Sequence, residues 1–177
     1  LHLCDRRQRQ MCIRDRDTTL VDVQYGKTEG NTQHPVFGIA ASDEDLDTIR
    51  TTLKKKGIEF EDISEDDDVR FRMIHYQPEL CQHPLFVHIE FPERAGAFLD
   101  FMERIADLAS LCYFNYTYTG ERVGRALVGM EFDTAEDRET IRKRMSAFSK
   151  NIIRSIREIS PEAFQRIMGS RQLTGNH

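Results

Sequence analysis

The stretch that decides the fold is PLFVHIEFPERAGAFLDFMERI, residues 84–105. Apolar and polar side chains alternate over residues 84–91, which is typical of a half-buried β-strand that ends at Pro92. Over residues 97–105 the apolar positions fall on one face of a helix, which predicts an amphipathic helix whose inward side chains are Phe98, Phe101, Met102 and Ile105. A strand followed at once by a helix is the opening half of an α+β unit.

The residues downstream complete this unit. In chain order they predict an aromatic-rich strand at 111–118, a turn at 119–121, a returning strand at 125–132, a helix capped by Thr134, a strand at 151–159 and a short helix opening at 160–162. The order strand, helix, strand, strand, helix, strand is the split βαβ pattern. We therefore predict a ferredoxin-like (βαββαβ) fold, with an antiparallel sheet and both helices on one face.

An internal repeat relates this unit to the residues before it. Tyr25 and Gly38 are 13 positions apart, as are Tyr116 and Gly129, at an offset of 91. One inserted residue later the match resumes at an offset of 92, with Glu44-Asp45 and Thr48-Ile49-Arg50 matching Glu136-Asp137 and Thr140-Ile141-Arg142. The chain therefore holds two copies of one unit, which we call the first copy (residues 19–63) and the second copy (residues 84–159).

The first copy has fewer elements than the second. Its residues predict, in order, a strand at 19–25, a strand at 35–41, a helix at 43–56, a strand at 58–63 and a connecting helix at 65–75. At the offset of 91 the counterpart of the second copy's first strand would begin before residue 1 and that of its first helix would fall among the first sixteen residues, which have no helical periodicity, so we expect a first subdomain that lacks both. The predicted organisation is a leader at 1–16, an incomplete subdomain at 17–78 and a complete one at 79–177.

The first sixteen residues differ from the rest. They contain five arginines and two acidic residues and show no helical or strand periodicity. We interpret them as non-native or disordered: residues 5–16 resemble the translation of sequencing-adapter read-through, and a basic arm or a transit peptide is the alternative. The leader has a net charge of +3 and the whole chain one of −5, so the remaining residues have a net charge of −8.

Composition argues against several classes of protein. An acidic body has no basic face for phosphates, so we expect no nucleic-acid partner. Charges interrupt every apolar run, so we expect no membrane span. The four cysteines form no CxxC pair, which favours a reducing, cytoplasmic location. His75, Cys81, His83 and His88 lie close in sequence, but their spacing fits no compact ligand pattern, so we expect no metal site.

Several motifs are similar to a known family. They are Phe91-Pro92-Glu93-Arg94-Ala95-Gly96-Ala97-Phe98-Leu99, Phe114-Asn115-Tyr116 with Gly124-Arg125, His83-Pro84-Leu85 and Ile63-Ser64-Glu65-Asp66. Over residues 19–168 the chain resembles the C-terminal regulatory region of biosynthetic threonine ammonia-lyase (threonine dehydratase), which carries ACT-like subdomains. Ala95 stands where that family usually has proline.

The resemblance implies a function in isoleucine biosynthesis. In that family the regulatory region binds isoleucine as feedback inhibitor and valine as its antagonist. It controls a pyridoxal-phosphate catalytic domain that converts threonine to 2-oxobutanoate and ammonia. We expect that catalytic domain as a partner, a homo-oligomer, and no catalytic residue or cofactor within this chain, because no lysine here has a Schiff-base context.

A free amino acid needs an anion site, hydrogen-bond acceptors and an apolar pocket. The turn at 93–97 would supply backbone N–H groups to the carboxylate at a helix N-terminus. The candidate ligand-binding residues are Glu93, Ala95, Gly96, Ala97, Phe98, Asn115, Tyr116 and Arg125. Glu93 would accept from the ammonium, Phe98 would line the apolar part, and Arg125 would add charge at the mouth.

Each candidate also has a purely structural interpretation. Gly96 would ease a tight turn, Glu93 would be a helix-start acid, Phe98 would be core, Tyr116 and Tyr25 would pack between the copies, and Arg125 would form a surface ion pair. At the level of function, the alternative is an ACT-like module, stand-alone or from another enzyme, that serves mainly oligomerisation and binds no small molecule.

Overall fold

The computed structural model describes residues 18–29, 34–66, 74, 76–92, 94, 96–118 and 123–168. The elements in these ranges are β1 (Thr19–Gly26), β2 (Val36–Ala40), α1 (Asp43–Lys55), a 3-10 turn (Pro78–Leu80), β3 (Leu85–Pro92), α2 (Ala97–Ile105), β4 (Ser110–Tyr118), β5 (Val123–Glu131), α3 (Ala135–Ser146), β6 (Ser155–Glu158) and α4 (Pro161–Met168). Among these helices none has the length and apolar character that crossing a lipid bilayer would require.

The strands form one antiparallel sheet in the order β2-β1-β4-β5-β3-β6. The last four belong to the second copy, and their order places the first strand of the unit between the third and the fourth. This is the topology of a ferredoxin-like fold, so the predicted α+β class is confirmed. The sheet does not stop at the copy boundary, because β1 of the first copy pairs with β4 of the second.

The alternation that predicted β3 also decides what each face of the sheet buries. Leu85, Val87, Ile89 and Phe91 lie in the main core, against Phe101 and other apolar residues of α2. Helix α3 adds its two buried residues, Ile141 and Met145, to the same core. Helices α2 and α3 therefore cover one face of the sheet, which we call the helix face.

The opposite face of the sheet has a smaller core. Phe86 of β3 and Tyr113 of β4 pack there with Tyr76 and with Phe164 of helix α4. The Phe86 and Phe164 rings stack at 3.9 Å between centroids. The terminal helix thus covers part of the face that α2 and α3 leave open. Its helical periodicity alone could not indicate which face of the sheet it would cover.

The β1–β4 pairing, which we call the seam, is internally symmetric. Gln24 lies opposite Asn115, Val23 opposite Tyr116, and Tyr25 opposite Phe114. Since the sequence repeat relates Gln24 to Asn115 at the offset of 91, the two copies meet around an approximate two-fold axis through that pair. Equivalent strands of the two copies therefore pair with each other.

Two element predictions need correction. Residues 58–63 were expected as a strand, but they have no regular structure. The equivalent strand of the second copy, β6, is held by β3, and the described residues include no counterpart of β3 in the first copy to form that ladder. The last strand is also shorter than predicted, spanning Ser155–Glu158 rather than 151–159. Most of the connecting helix predicted at 65–75 lies outside the described residues.

Candidate functional site

The turn from β3 into α2 carries a left-handed glycine. Gly96 has φ of 80° and ψ of 0°, and it is the N-cap residue of the helix. Glycine is favoured there because a side chain at positive φ is strained by about 1 kcal/mol or more. The turn is closed by hydrogen bonds from the Arg94 N–H to the Pro92 carbonyl (2.8 Å) and from the Ala97 N–H to the Arg94 carbonyl (3.2 Å).

Helix α2 begins differently from α1 and α3. Ser42 caps α1 by accepting from the Asp45 N–H at 3.2 Å, and Thr134 caps α3 by accepting from the Asp137 N–H at 3.1 Å. Gly96 has no side chain, and no side-chain cap is formed at this end of α2. Amides of an uncapped first turn attract anions, so this helix end suits a carboxylate.

An aromatic floor lies below the start of α2 on the helix face. The Phe98 ring is 4.8 Å from that of Phe114 and 6.0 Å from that of Phe91, and Phe91 is 6.4 Å from Tyr116, all between centroids. Phe98 and Tyr116 are only partly buried. Because Phe114 pairs with Tyr25 across the seam, the N-terminus of α2 stands above the junction of the two copies.

Gly124 explains how Tyr116 lies on this floor. A Cβ built at Gly124 would approach the Tyr116 hydroxyl oxygen to 2.6 Å, which is closer than packed atoms allow. The absence of a side chain at Gly124 therefore lets the Tyr116 ring lie across β5. The motif that ends at Tyr116 and the motif that begins at Gly124 therefore occur together for a steric reason.

Arg94 anchors the turn to the second half of the unit. Its guanidinium donates to the Asn151 carbonyl at 3.0 and 2.8 Å and to the Asp100 carboxylate at 2.7 Å. Those contacts fix the entry to α2 against the loop before β6. Arg94 was not among the predicted site residues, and nothing in the sequence pairs it with Asn151, 57 positions away.

The structure brings some predicted site residues together and separates others. Gly96, Ala97, Phe98 and Tyr116 lie on the helix face, and Ala97 is buried. Asn115 and Arg125 lie on the opposite face, because they alternate with core residues of β4 and β5. Glu93 and Ala95 lie outside the described residues.

Arg125 forms an exposed ion pair with Glu90 at 3.5 Å. The Ser155 hydroxyl donates to the same carboxylate at 2.7 Å, and with Arg125 it holds the pKa of Glu90 below its usual value. This is the surface pair that the residue types suggested. A sheet therefore separates Arg125 from the helix-face turn.

Gln24 is a seam residue outside the set of predicted site residues. Its side-chain oxygen is buried and has no hydrogen-bond partner in the structure. It lies on the two-fold axis opposite Asn115, on the face away from α2. The repeat offset of 91 was the signal that could have added it to the candidates.

Two other features are poor candidates for a site. A shallow depression on α1, lined by Glu44, Asp47, Thr48, Thr51, Thr52 and Lys55, is formed by one exposed helix and cannot enclose a ligand. Nor do the described residues fit pyridoxal phosphate: Lys27 bonds Glu131 and the Leu80 carbonyl, and the other described lysines are exposed, whereas a Schiff-base lysine needs a desolvated pocket.

Comparison with known proteins agrees with the geometry of the second copy. Residues 81–155 match a family model described as the C-terminal regulatory domain of threonine dehydratase. The match runs from the residues before β3 to the first residue of β6. None of the curated proteins matches the chain. Residues 81–155 are therefore similar to the C-terminal regulatory domain of threonine dehydratase.

Proposed function

We propose that this regulatory domain binds a free branched-chain amino acid at the N-terminus of α2. Isoleucine would be the inhibitory effector and valine its antagonist. Through this site the domain would control the pyridoxal-phosphate catalytic domain of a cytoplasmic, oligomeric threonine ammonia-lyase. The observation that carries the proposal is the uncapped helix end at Gly96, which stands over an aromatic floor at the seam.

The helix end provides the anion site. The backbone amides of the first turn of α2 point toward the turn, and the helix dipole adds partial positive charge there. The left-handed Gly96 lets a carboxylate approach the backbone without meeting a Cβ. Arg94 is bonded to Asp100 and Asn151, so in this proposal the carboxylate is bound by the backbone.

The floor supplies the apolar part of the site. Phe98 and Tyr116 keep part of their ring surface exposed next to the turn. A branched aliphatic side chain that covers this surface gains about 25 cal/mol per Å² of apolar area removed from water. We assign the ammonium to Glu93, whose place in the sequence is three residues before Gly96.

The seam offers a way to transmit binding. A regulatory effector must bind two arrangements of the protein with different affinity. The floor adjoins Val23 and Tyr25 of β1 through the pairing with β4. An amino acid bound there would favour one packing of the two copies over another, and the catalytic domain would respond to that packing.

Titration calorimetry on the full chain tests the proposal. We expect heat on adding isoleucine or valine at up to millimolar concentration, and competition between the two. Gly96→Asp, which places a side chain and a negative charge where the carboxylate binds, should weaken binding at least about tenfold, which corresponds to about 1.4 kcal/mol.

Gly57→Asp is the matched control. Gly57 also has positive φ (68°), but it follows α1 and no atom lies within 4 Å of a Cβ built on it. The same backbone strain therefore arises away from the seam, and affinity should not change. Lack of binding by both amino acids to the folded wild-type chain would refute the proposal, and equal affinity in wild type and Gly96→Asp would place the site elsewhere.

A further inference from the structure

Two cysteines that are 31 positions apart in sequence meet on the face opposite α2 and α3. Cys81 follows the 3-10 turn in the connector between the copies and is partly exposed, whereas Cys112 in β4 is fully buried. The two belong to one cluster with Phe86 and Tyr113. Cys81 packs against this cluster from the connector, and the Tyr76 hydroxyl donates to its sulfur at 3.3 Å.

The sulfur of Cys81 has two polar neighbours in the connector. The Tyr76 hydroxyl donates to it at 3.3 Å, and the Cys81 S–H donates to the Gln77 carbonyl at 3.9 Å. The Cys112 thiol and then the Tyr76 hydroxyl, opposed by burial, lower the pKa of Cys81 to about 7. The Cys81 thiol and burial raise the pKa of Cys112. Cys81 is therefore the thiol that ionises first, while Cys112 keeps its proton.

The charges around the pair are nearly balanced. Lys27 lowers the pKa of Cys81 and Glu131 raises it. These two groups bond each other at 2.7 Å, so their effects on the sulfur oppose one another. The lowered pKa of Cys81 rests mainly on its two neutral neighbours, the Cys112 thiol and the Tyr76 hydroxyl.

We propose that Cys81 and Cys112 are an oxidation site that a hydroperoxide converts to an intrachain disulfide. The Cys81 thiolate attacks the terminal oxygen of the hydroperoxide and becomes a sulfenic acid, while the O–O bond breaks and the leaving alkoxide or hydroxide takes a proton from the solvent to depart as an alcohol or water. The sulfur of Cys112 then attacks that of Cys81, its proton leaves with the hydroxide as water, and the S–S bond forms. Two thiols give up two electrons in total, and the hydroperoxide accepts them.

The disulfide would connect the inter-copy connector to the seam. The Cys112 carbonyl accepts from the Lys27 N–H at 2.8 Å, just beyond the end of β1. A covalent bond from Cys81 to Cys112 would therefore fix the connector beside the point where β1 leaves β4. Tyr76 would lose its thiolate acceptor but keep its ring contacts with Phe86, Tyr113 and Phe164.

The test uses the full chain carrying Cys4→Ser and Cys12→Ser, so that Cys81 and Cys112 are the only thiols. After treatment with hydrogen peroxide, non-reducing peptide mapping should find the Cys81–Cys112 disulfide, and dithiothreitol should reverse it. With Cys112→Ser added, Cys81 should stop as a sulfenic acid that dimedone traps. Thiols that remain free under peroxide, or disulfides that form only between chains, would overturn the proposal.

Tyr76→Phe separates activation from mere proximity. It retains the ring packing and removes one donor, so alkylation of Cys81 at pH 7 should slow by about fivefold if its pKa rises by about one unit, because the thiolate fraction falls from about one half to about one tenth. An unchanged alkylation rate would contradict the activation by Tyr76. The peptide map of the chain with native Tyr76 and Cys112 shows whether the disulfide forms, even if a variant fails to fold. Neither measurement depends on amino-acid binding at Gly96.

Discussion

Helices α1 and α3 carry the same set of local interactions but lie in different surroundings. In both, a hydroxyl N-cap and an aspartate three residues later bond each other, through Ser42 and Asp45 in α1 and through Thr134 and Asp137 in α3. In both, a threonine hydroxyl donates to the carbonyl four residues before it at 3.0 Å. Yet Ile141 of α3 is fully buried, and its counterpart Ile49 of α1 is only half-buried.

This difference separates what local sequence controls from what the rest of the fold controls. The helix start follows from the capping residues, which are repeated at the offset of 92. The depth of burial follows from neighbours outside the helix. The second copy has α2 and β3 to pack against, and the described part of the first copy has no equivalent of either. Four matched pairs of substitutions or measurements test this interpretation.

The largest expected effect is at the paired isoleucines. Ile141→Ala should lower the free energy of unfolding by about 2–5 kcal/mol because it leaves a cavity in the core. Ile49→Ala should cost about 1 kcal/mol or less. Both changes alter helix propensity equally, so the difference reports burial. Urea denaturation measures both, and equal costs would show that α1 is packed as deeply as α3.

The paired strand glycines should give the next largest effect. A Cβ at Gly129 would overlap the Phe86 ring and lie 2.9 Å from the Tyr113 Cβ, whereas at Gly38 the nearest atoms are side-chain carbons of Asp22 and Val21 at 3.0 and 3.1 Å. Gly129→Ala should therefore destabilise by about 1–3 kcal/mol, and Gly38→Ala by less. Thermal unfolding of the two variants measures which substitution destabilises the protein more.

A second substitution checks the steric cause. Phe86→Leu removes the ring that the new methyl group would meet, so it should recover part of the loss in Gly129→Ala. The coupling between the two substitutions should then be favourable. Strictly additive losses would mean that the strain at Gly129 has another origin.

The two helix caps should have equal effects. Ser42→Ala and Thr134→Ala each remove one side-chain acceptor from an exposed helix start, at a cost of about 1 kcal/mol. If local interactions act independently of burial, chemical denaturation should give the two changes similar values. A cost confined to Thr134→Ala would indicate that α1 is not formed in solution.

The smallest expected effect concerns acid titration at the end of the first copy. Hydrogen bonds from Ser64, and then from Arg50, lower the pKa of Asp62 from 3.8 to about 2. Because the folded pKa is depressed, this stabilisation is complete above about pH 4 and is lost as the pH falls toward 2. NMR titration of the Asp62 carboxyl carbon should show a larger pKa increase in Ser64→Ala than in Arg50→Gln. The reverse order would make the ion pair the main cause.

Periodicity and capping predicted most of the elements. Helix α2 has the bounds that its apolar face predicted, 97–105, and Thr134 caps α3 as expected. The failure at 58–63 has a physical cause: the alternating pattern indicates a strand only where a partner strand completes the ladder. Which face α4 covers depends on contacts between distant residues, such as Phe164 with Phe86.

Only part of the candidate site could be predicted from the sequence. Gly96 was recognisable because a glycine before an amphipathic helix marks a left-handed turn, and it is one. Asn115 and Tyr116 are adjacent in sequence, so strand alternation sends them to opposite faces, and this rule could have separated them at once. The contact between Cys81 and Cys112 could not have been anticipated, because only the folded sheet brings the connector beside β4.

The two-fold axis through Gln24 and Asn115 has one more consequence. A contact surface related by such an axis is isologous, as in a symmetric dimer, where each contact away from the axis occurs twice. Here both halves belong to one polypeptide, so the association is intramolecular, with an effective concentration set by the connector rather than by the amount of protein. The pairing of the two copies should therefore withstand dilution, and evolution can change one half of the interface while leaving the other intact.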